Sequence, residues 1–585
     1  MIRVKQTEGQ PRKKYGCLWI AIACVLVYTG ISVMMGYMMG NMFSTPTTVL
    51  ESNAVYHLQL KGTLEEQGQE DNPFASLLND VPGYSAPAQT VGLDDILSNI
   101  RLAKSDDRIL GIYLEGGSLN VGPASAKAIR DALLDFKTSG KWIIAYSENY
   151  GQMNYYIASV ADEICLNPVG SVAWNGLSAQ KLYLTRLYDK LGIEMQILKV
   201  GTFKSAVEPY FRTSMSQEDR LQTEQYLHGI WDEMCVAVGE SRDLTNEQLN
   251  TYADRYMELQ AAEEHIACGL VDTLLYRPSM DHLLRIYTGT PNYTLYTTSE
   301  LSRVKRTASK APNKVAVVYL AGDIQTGSSN EGISDKKVLK TFKKIRKDKE
   351  VKAVVLRVNS PGGSADASEQ IWHGVQTLKE KGLPVVVSMG DYAASGGYCI
   401  SCNADYIFAE PTTLTGSIGI FGIVPNFDRL RNKIGIDIDG VGTNAHSELS
   451  TNMIYKGMRP DEEAMMQHMV ERGYDLFTRR CAEGRNMTQE DIKAIGEGRV
   501  WLGKDALQIG LVDSLGNIND AIAKAVALAN IETYRLVYYP ERKDPMSELL
   551  KMLDSSTPEE RILLKAREFA KEPRCMMQME KILIQ

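Results

Sequence analysis

The chain has 585 residues, 44% of them hydrophobic and 23% charged, with a formal net charge of −8 at pH 7. That length exceeds what one hydrophobic core supports, so two or more large domains are expected. The acidic balance, without a basic stripe interleaved with aromatics, argues against nucleic acid as a partner.

The first feature in chain order is a basic cluster, Arg3, Lys5, Arg12, Lys13 and Lys14, ahead of an uncharged apolar run at residues 15–39, "YGCLWIAIACVLVYTGISVMMGYMM". A run of this length spans a bilayer core of roughly 30 Å. No Lys or Arg follows until Lys61. The positive-inside rule then puts residues 1–14 in the cytoplasm and the rest of the chain across the membrane. The alternative is a cleaved signal peptide, but the apolar run is long for one and no clear A-x-A site follows. A single-pass anchor is the expectation.

Beyond the anchor the chain repeats itself. "GLVDTL" at residues 269–274 returns as "GLVDSL" at 510–515, a shift of 241, and "ADEICLNP" from 161 returns as "ADYIFAEP" from 404, a shift of 243. "ILGIYLEGGS" from 109 matches "VKAVVLRVNS" from 351 at a shift of 242. "YHLQLKGTL" parallels "VVYLAGDI" at a shift of 260, because the first copy carries an extra loop at residues 65–89. A repeat this long means two tandem domains, not a solenoid. The expected layout is a front copy over residues 50–290, a polar linker over 291–312, a back copy over 313–540 and a charged helical tail over 541–585.

Within each copy, β-branched runs such as "KAVVLRV" and "LPVVVSM" read as buried strands. They alternate with helical stretches such as "DASEQIWHGVQTLKEKG", which opens at an N-cap-like Asp366 and stops at Gly382. This is the pattern of an α/β fold with right-handed crossovers and a largely parallel sheet.

Four segments carry candidate chemistry. In the front copy, "VGTFKSAVEPY" sets Lys204 among small and apolar residues, and its plainest reading is a surface cation paired with Glu208. In the back copy, "NSPGGS" follows a strand, and Gly362 and Gly363 open a backbone path that leaves N–H groups exposed. "DYAASGGY" puts Ser395 at a strand-to-helix turn, where the Gly396 amide and one from Gly362 or Gly363 can form an oxyanion hole. Each such donor is worth about 3–4 kcal/mol in acyl transfer. "TLTGSIGIFG" at residues 413–422 reads as a Gly-rich strand whose Gly416, Ser417, Ile418 and Gly419 line a groove for an extended peptide. Each motif alone also has a bland reading: PGG is a turn signal, and a serine before two glycines fills a tight bend.

A nucleophilic serine needs a base. Of the seven histidines (His57, His228, His265, His282, His373, His446 and His468), only His446 has a plausible position. The internal shift offers another base. It sets Ala445 opposite Lys204 and Gln152 opposite Ser395, so the front copy has a lysine without a serine and the back copy the reverse. One site spanning both copies accounts for this, with Lys204 as base. A lysine is a base only when neutral, and depressing its pKa three units from about 10.4 costs about 4 kcal/mol. Cys399 and Cys402 form a CxxC without a second CxxC or a nearby His, so they read as buried small hydrophobes rather than zinc ligands. No metal, nucleotide or other cofactor is expected.

Taken together, the anchor, the two copies, "GTFKSAVEPY", "NSPGGS", "AASGGY" and "TLTGSIGIFG" resemble the signal peptide peptidase A (protease IV) family in its long, duplicated form. That family has the Clp protease/crotonase-like fold. The resemblance implies tandem domains of this fold behind a transmembrane helix, and a Ser–Lys dyad with Ser395 as nucleophile and Lys204 as general base. It implies Gly396 with Gly362 or Gly363 as oxyanion donors, and peptide substrates such as cleaved signal peptides. It also implies a homotetramer at a bacterial inner membrane with extracytoplasmic catalytic domains. One departure is Cys399, where the family pattern suggests an aromatic or small residue. Two other classes are a catalytically inactive membrane scaffold and a crotonase-like enzyme acting on acyl-CoA. The second fits poorly with an extracytoplasmic position, because coenzyme A is cytosolic.

Overall fold

Each copy builds a parallel sheet from its β-branched runs, and the two sheets have the same strand order. In the front copy the order is Thr294–Thr297, Ala54–Gln59, Ile109–Glu115, Trp142–Ser147, Glu163–Leu166 and Thr273–Leu274. In the back copy it is Arg535–Tyr539, Lys314–Ala321, Val351–Ser360, Val385–Ala394, Tyr406–Ala409 and Ser514–Leu515. Val351–Ser360 is buried along nearly its whole length, as expected of a parallel strand covered on both faces. Helix Ala365–Glu380 covers one face with Ile371, Trp372, Val375 and Leu378, each worth about 1.5–3 kcal/mol when fully buried.

The computed structural model describes residues 48–68, 90–304, 311–329, 331–542 and 576–578. The membrane span expected at residues 15–39, most of the extra loop and most of the tail lie outside the described residues. Among the described residues, no helix is long and apolar enough to cross a membrane.

Three local readings change. The helix expected to open at Asp366 is capped instead by Ser364, whose hydroxyl accepts the Ala367 N–H. An N-cap side chain must reach the third helical amide, and Ser364 is the residue at that distance. The segment expected as linker contributes the edge strand Thr294–Thr297, in register with Ala54–His57, and the capped helix Thr298–Ser302. "TLTGSIGIFG" is not one strand: Leu414–Gly416 and Ile420–Asn426 are separated by a turn with Gly416 at φ 73° and Ser417 at φ 48°.

The copies join through a third sheet that belongs to both. Its order is Ile333–Ser334, Ile324–Gln325, Gly362–Ser364, Met576–Gln578, Ile420–Asn426 and Glu194–Val200. Glu194–Val200 comes from the front copy and pairs antiparallel with Ile420–Asn426 of the back copy along its full length. Two buried polar contacts reinforce the junction. Front-copy Glu66 accepts from Arg357 at 2.8 Å and from Asn359 at 2.7 Å. Back-copy Asp391 accepts from the Ser125 N–H at 2.9 Å and the Ser125 hydroxyl at 2.6 Å, which satisfies a free amide in the first turn of helix Pro123–Lys137.

Candidate active site

Ser395 follows strand Val385–Ala394 and precedes the short helix Gly396–Cys399, with φ 56° and ψ −116°. Such a backbone costs a non-glycine residue on the order of 1–3 kcal/mol and persists only where its surroundings enforce it. Here the strand continues past the point where its front-copy counterpart ends and gains a neighbour, Leu414–Gly416. The Ser395 N–H donates to the Gly416 carbonyl at 2.8 Å. The two glycines after Ser395 are required by crowding. A Cβ on Gly396 would meet Ser368 Oγ at 2.6 Å, and one on Gly397 would meet the Ser360 carbonyl at 2.5 Å. The PGG turn therefore lies directly against the start of this helix. Within that turn the Gly362 N–H donates to Ser360 Oγ at 3.2 Å.

Lys204 arrives from the other copy. Strand Glu194–Val200 runs alongside Ile420–Asn426 and delivers the turn that follows it to the back copy, where the Phe203 N–H donates to the Glu497 carbonyl at 2.9 Å. The Lys204 side chain then passes between Gly419 and Gly498. Its Nζ lies 2.9 Å from Ser395 Oγ, 3.0 Å from Ser417 Oγ and 3.2 Å from the Ser417 carbonyl. The lysine is 1% exposed and the serine 0%. Burial pulls the Lys204 pKa from 10.5 down to about 7, because the desolvated ammonium is disfavoured and, among the described residues, no carboxylate compensates it. Glu208 is engaged elsewhere: it accepts the Ser216 N–H at 3.0 Å. The site is thus formed within one chain.

The residues expected to line a groove make contacts with Ser395, Lys204 and Gly498. Gly416 holds the Ser395 N–H, Ser417 contacts Nζ, the Ile418 carbonyl accepts the Gly498 N–H at 2.8 Å, and Gly419 faces the lysine stem. Another pair of strands, Gly362–Ser364 and Ile420–Asn426, is bridged by a third. Met576–Gln578 of the same chain lies there, antiparallel to both, with Met577 opposite Gly363 and Met576 opposite Ser364 and Phe421. His446 contacts Arg459 at 2.9 Å. Cys399 and Cys402 are buried in the back-copy core. Sequence reasoning missed Glu497 and Gly498, whose only signal is a glycine flanked by polar residues.

The profile of peptidase family S49 matches residues 135–281 and 377–532, one match in each copy. Protease 4 of Haemophilus influenzae is 37% identical over 83% of this chain and 80% of its own length. Protease 4 of Salmonella typhi is 35% identical over 92% of this chain and 87% of its own. The chloroplastic serine protease SPPA of Arabidopsis thaliana is 28% identical over 87% of this chain and 74% of its own. The chain belongs to peptidase family S49 and is a serine-type peptidase.

Proposed function

We propose that Ser395 is the nucleophile and Lys204 the general base of this peptidase. The carrying observation is the 2.9 Å contact between Lys204 Nζ and Ser395 Oγ, fully buried and with the lysine pKa lowered by burial to about 7, so that a large fraction is neutral near that pH. Neutral Lys204 takes the Ser395 proton as Oγ attacks the scissile carbonyl. The Gly396 amide and one from the PGG segment, at Gly362 or Gly363, supply the oxyanion donors. Lys204, now protonated, gives its proton to the leaving amine. Water then hydrolyses the acyl-enzyme, with Lys204 as base again. Ser417 gives Nζ two fixed acceptors and keeps it aimed at Oγ through both half-reactions.

The substrate binds as an added strand between Gly362–Ser364 and Ile420–Asn426. Main-chain hydrogen bonds supply affinity in this mode and side-chain pockets supply preference. The place of Met576–Gln578 supports that pose. The walls contribute glycines and Phe421, which suits small or apolar side chains. With an anchor at residues 15–39 this groove stands on the extracytoplasmic side of a bacterial inner membrane, where cleaved signal peptides are the apolar peptides at hand.

Assembly follows from the internal symmetry. The in-chain pair Glu194–Val200 with Ile420–Asn426 has counterparts, by the repeat shift, at residues 435–441 and 177–183. Neither of these forms a strand, and Leu182, Ile436 and Val441 are exposed. Pairing of these edges between copies joins chains head to tail, and a homotetramer is the closed form proposed. The functional test is cleavage of an apolar peptide: Ser395→Ala and Lys204→Ala each abolish turnover on this reading, and retention of wild-type turnover by either removes it.

A further inference from the structure

Lys181, Asp219 and Gln222 of the front copy line a small cavity together with Lys204. Asp219 and Gln222 stand near the start of helix Gln217–Arg242 and are 0% and 3% exposed. Lys181 Nζ donates to the two Asp219 oxygens at 2.8 and 2.9 Å. Gln222 Nε2 donates to Asp219 Oδ1 at 3.2 Å, to Ser205 Oγ at 3.0 Å and to the Phe203 carbonyl at 3.2 Å. Ser205 and Phe203 are the two chain neighbours of Lys204. Gln222 Oε1 accepts the Val500 N–H at 3.1 Å. Val500 is in register with Gly416, and the Gly416 carbonyl holds the Ser395 N–H at 2.8 Å. A single amide therefore grips both residues flanking the base, and through one strand it reaches the backbone of the serine.

The orientation of that amide is determined by its partners. The Asp219 carboxylate and the Phe203 carbonyl accept, so they face Nε2, and the Val500 N–H donates, so it faces Oε1. A buried ion pair is often no more stabilising than apolar residues of the same volume. The Lys181–Asp219 pair is accounted for by what it holds. We propose that Gln222 is a positioning residue that sets the Lys204–Ser395 distance, with Asp219 and Lys181 fixing the direction of its amide. The inference rests on the Ser–Lys reading above.

Gln222→Met keeps the length of the side chain and removes its hydrogen bonds. For cleavage of an apolar peptide, kcat falls about a hundredfold, the scale of a 1 Å misplacement. KM stays within about twofold, because the groove is untouched. A fluorophosphonate labels Ser395 of this variant to completion but more slowly, by the same factor as kcat. Unchanged kcat, or a raised KM at unchanged kcat, overturns the inference. Ser205→Ala removes one acceptor of the same amide with little loss of packing, and is the test should Gln222→Met not fold. It lowers kcat by a smaller factor at constant KM, and wild-type kcat in Ser205→Ala counts against the inference. Ser395→Ala keeps the two readings apart. If it takes no label, the dyad reading stands whichever way the Gln222 result falls. If it labels at the wild-type rate, the dyad reading fails first.

Discussion

Gly498 packs against the backbone of Lys204, so closely that a Cβ at that position would lie 2.7 Å from both Lys204 N and Lys204 Cβ. The back copy thus positions Lys204 of the front copy through a missing side chain. Gly498 also has φ 79°, a conformation that a side chain disfavours.

Gly498→Ala therefore pushes Lys204 away from Ser395. The expected result is a kcat lowered about a hundredfold, as for other misplacements of this size, together with a loss of about 1–3 kcal/mol in stability from backbone strain. Peptide cleavage kinetics and a denaturant titration measure the two effects.

Lys204→Met removes the proposed base and raises stability. Its ammonium is held at a pKa of about 7 in the fold against 10.5 outside it. Between those values the unfolded chain binds the extra proton, so wild-type stability rises with pH across this window. At and below pH 7 the buried lysine carries its full penalty, on the order of 4–5 kcal/mol. The variant's advantage is greatest there and shrinks to nothing as pH approaches that of a free lysine. Denaturant midpoints of wild type and variant at pH 6 through 10 check the sign.

Glu66→Ala leaves Arg357 buried without its carboxylate. Removing one partner of a buried pair costs about 3–5 kcal/mol. Adding Arg357→Met recovers most of that loss, because the uncompensated charge is then gone. Urea denaturation of both variants gives the comparison.

Met576–Gln578 pairs with both walls of the proposed peptide groove. Removing residues 543–585 lowers KM for a short peptide, about tenfold for each 1.4 kcal/mol with which the strand held its place, and leaves kcat unchanged. Initial-rate kinetics of the shortened chain test this; an unchanged KM contradicts it.

The duplicated sheets were legible because the repeat shift carries the six strands of the front sheet onto six strands of the back one, from Ile109 onto Val351 and from Thr273 onto Ser514. Lys204 and Ser395 were legible for a related reason: each copy lacks the other's reactive residue. The role of Ser417 was not, because "TGSIG" reads equally as a strand and as two strands with a turn, and only the positive φ at Gly416 and Ser417 separates them. Gln222 was invisible too. It lies on a long polar helix 18 residues from Lys204 in sequence, and its meaning comes from Val500 in the other copy. Side chains that act across the copy boundary leave no spacing for a sequence to display.

Transfer of the Ser395 proton to Lys204 shows in the rate at which a fluorophosphonate labels Ser395 as pH is varied, in wild type and in Lys204→Met. In the wild type the rate rises with pH through a midpoint near the Lys204 pKa of about 7, while in Lys204→Met it is lower throughout and shows no step there. Labelling of Lys204→Met at the wild-type rate and with the wild-type midpoint contradicts that proton transfer.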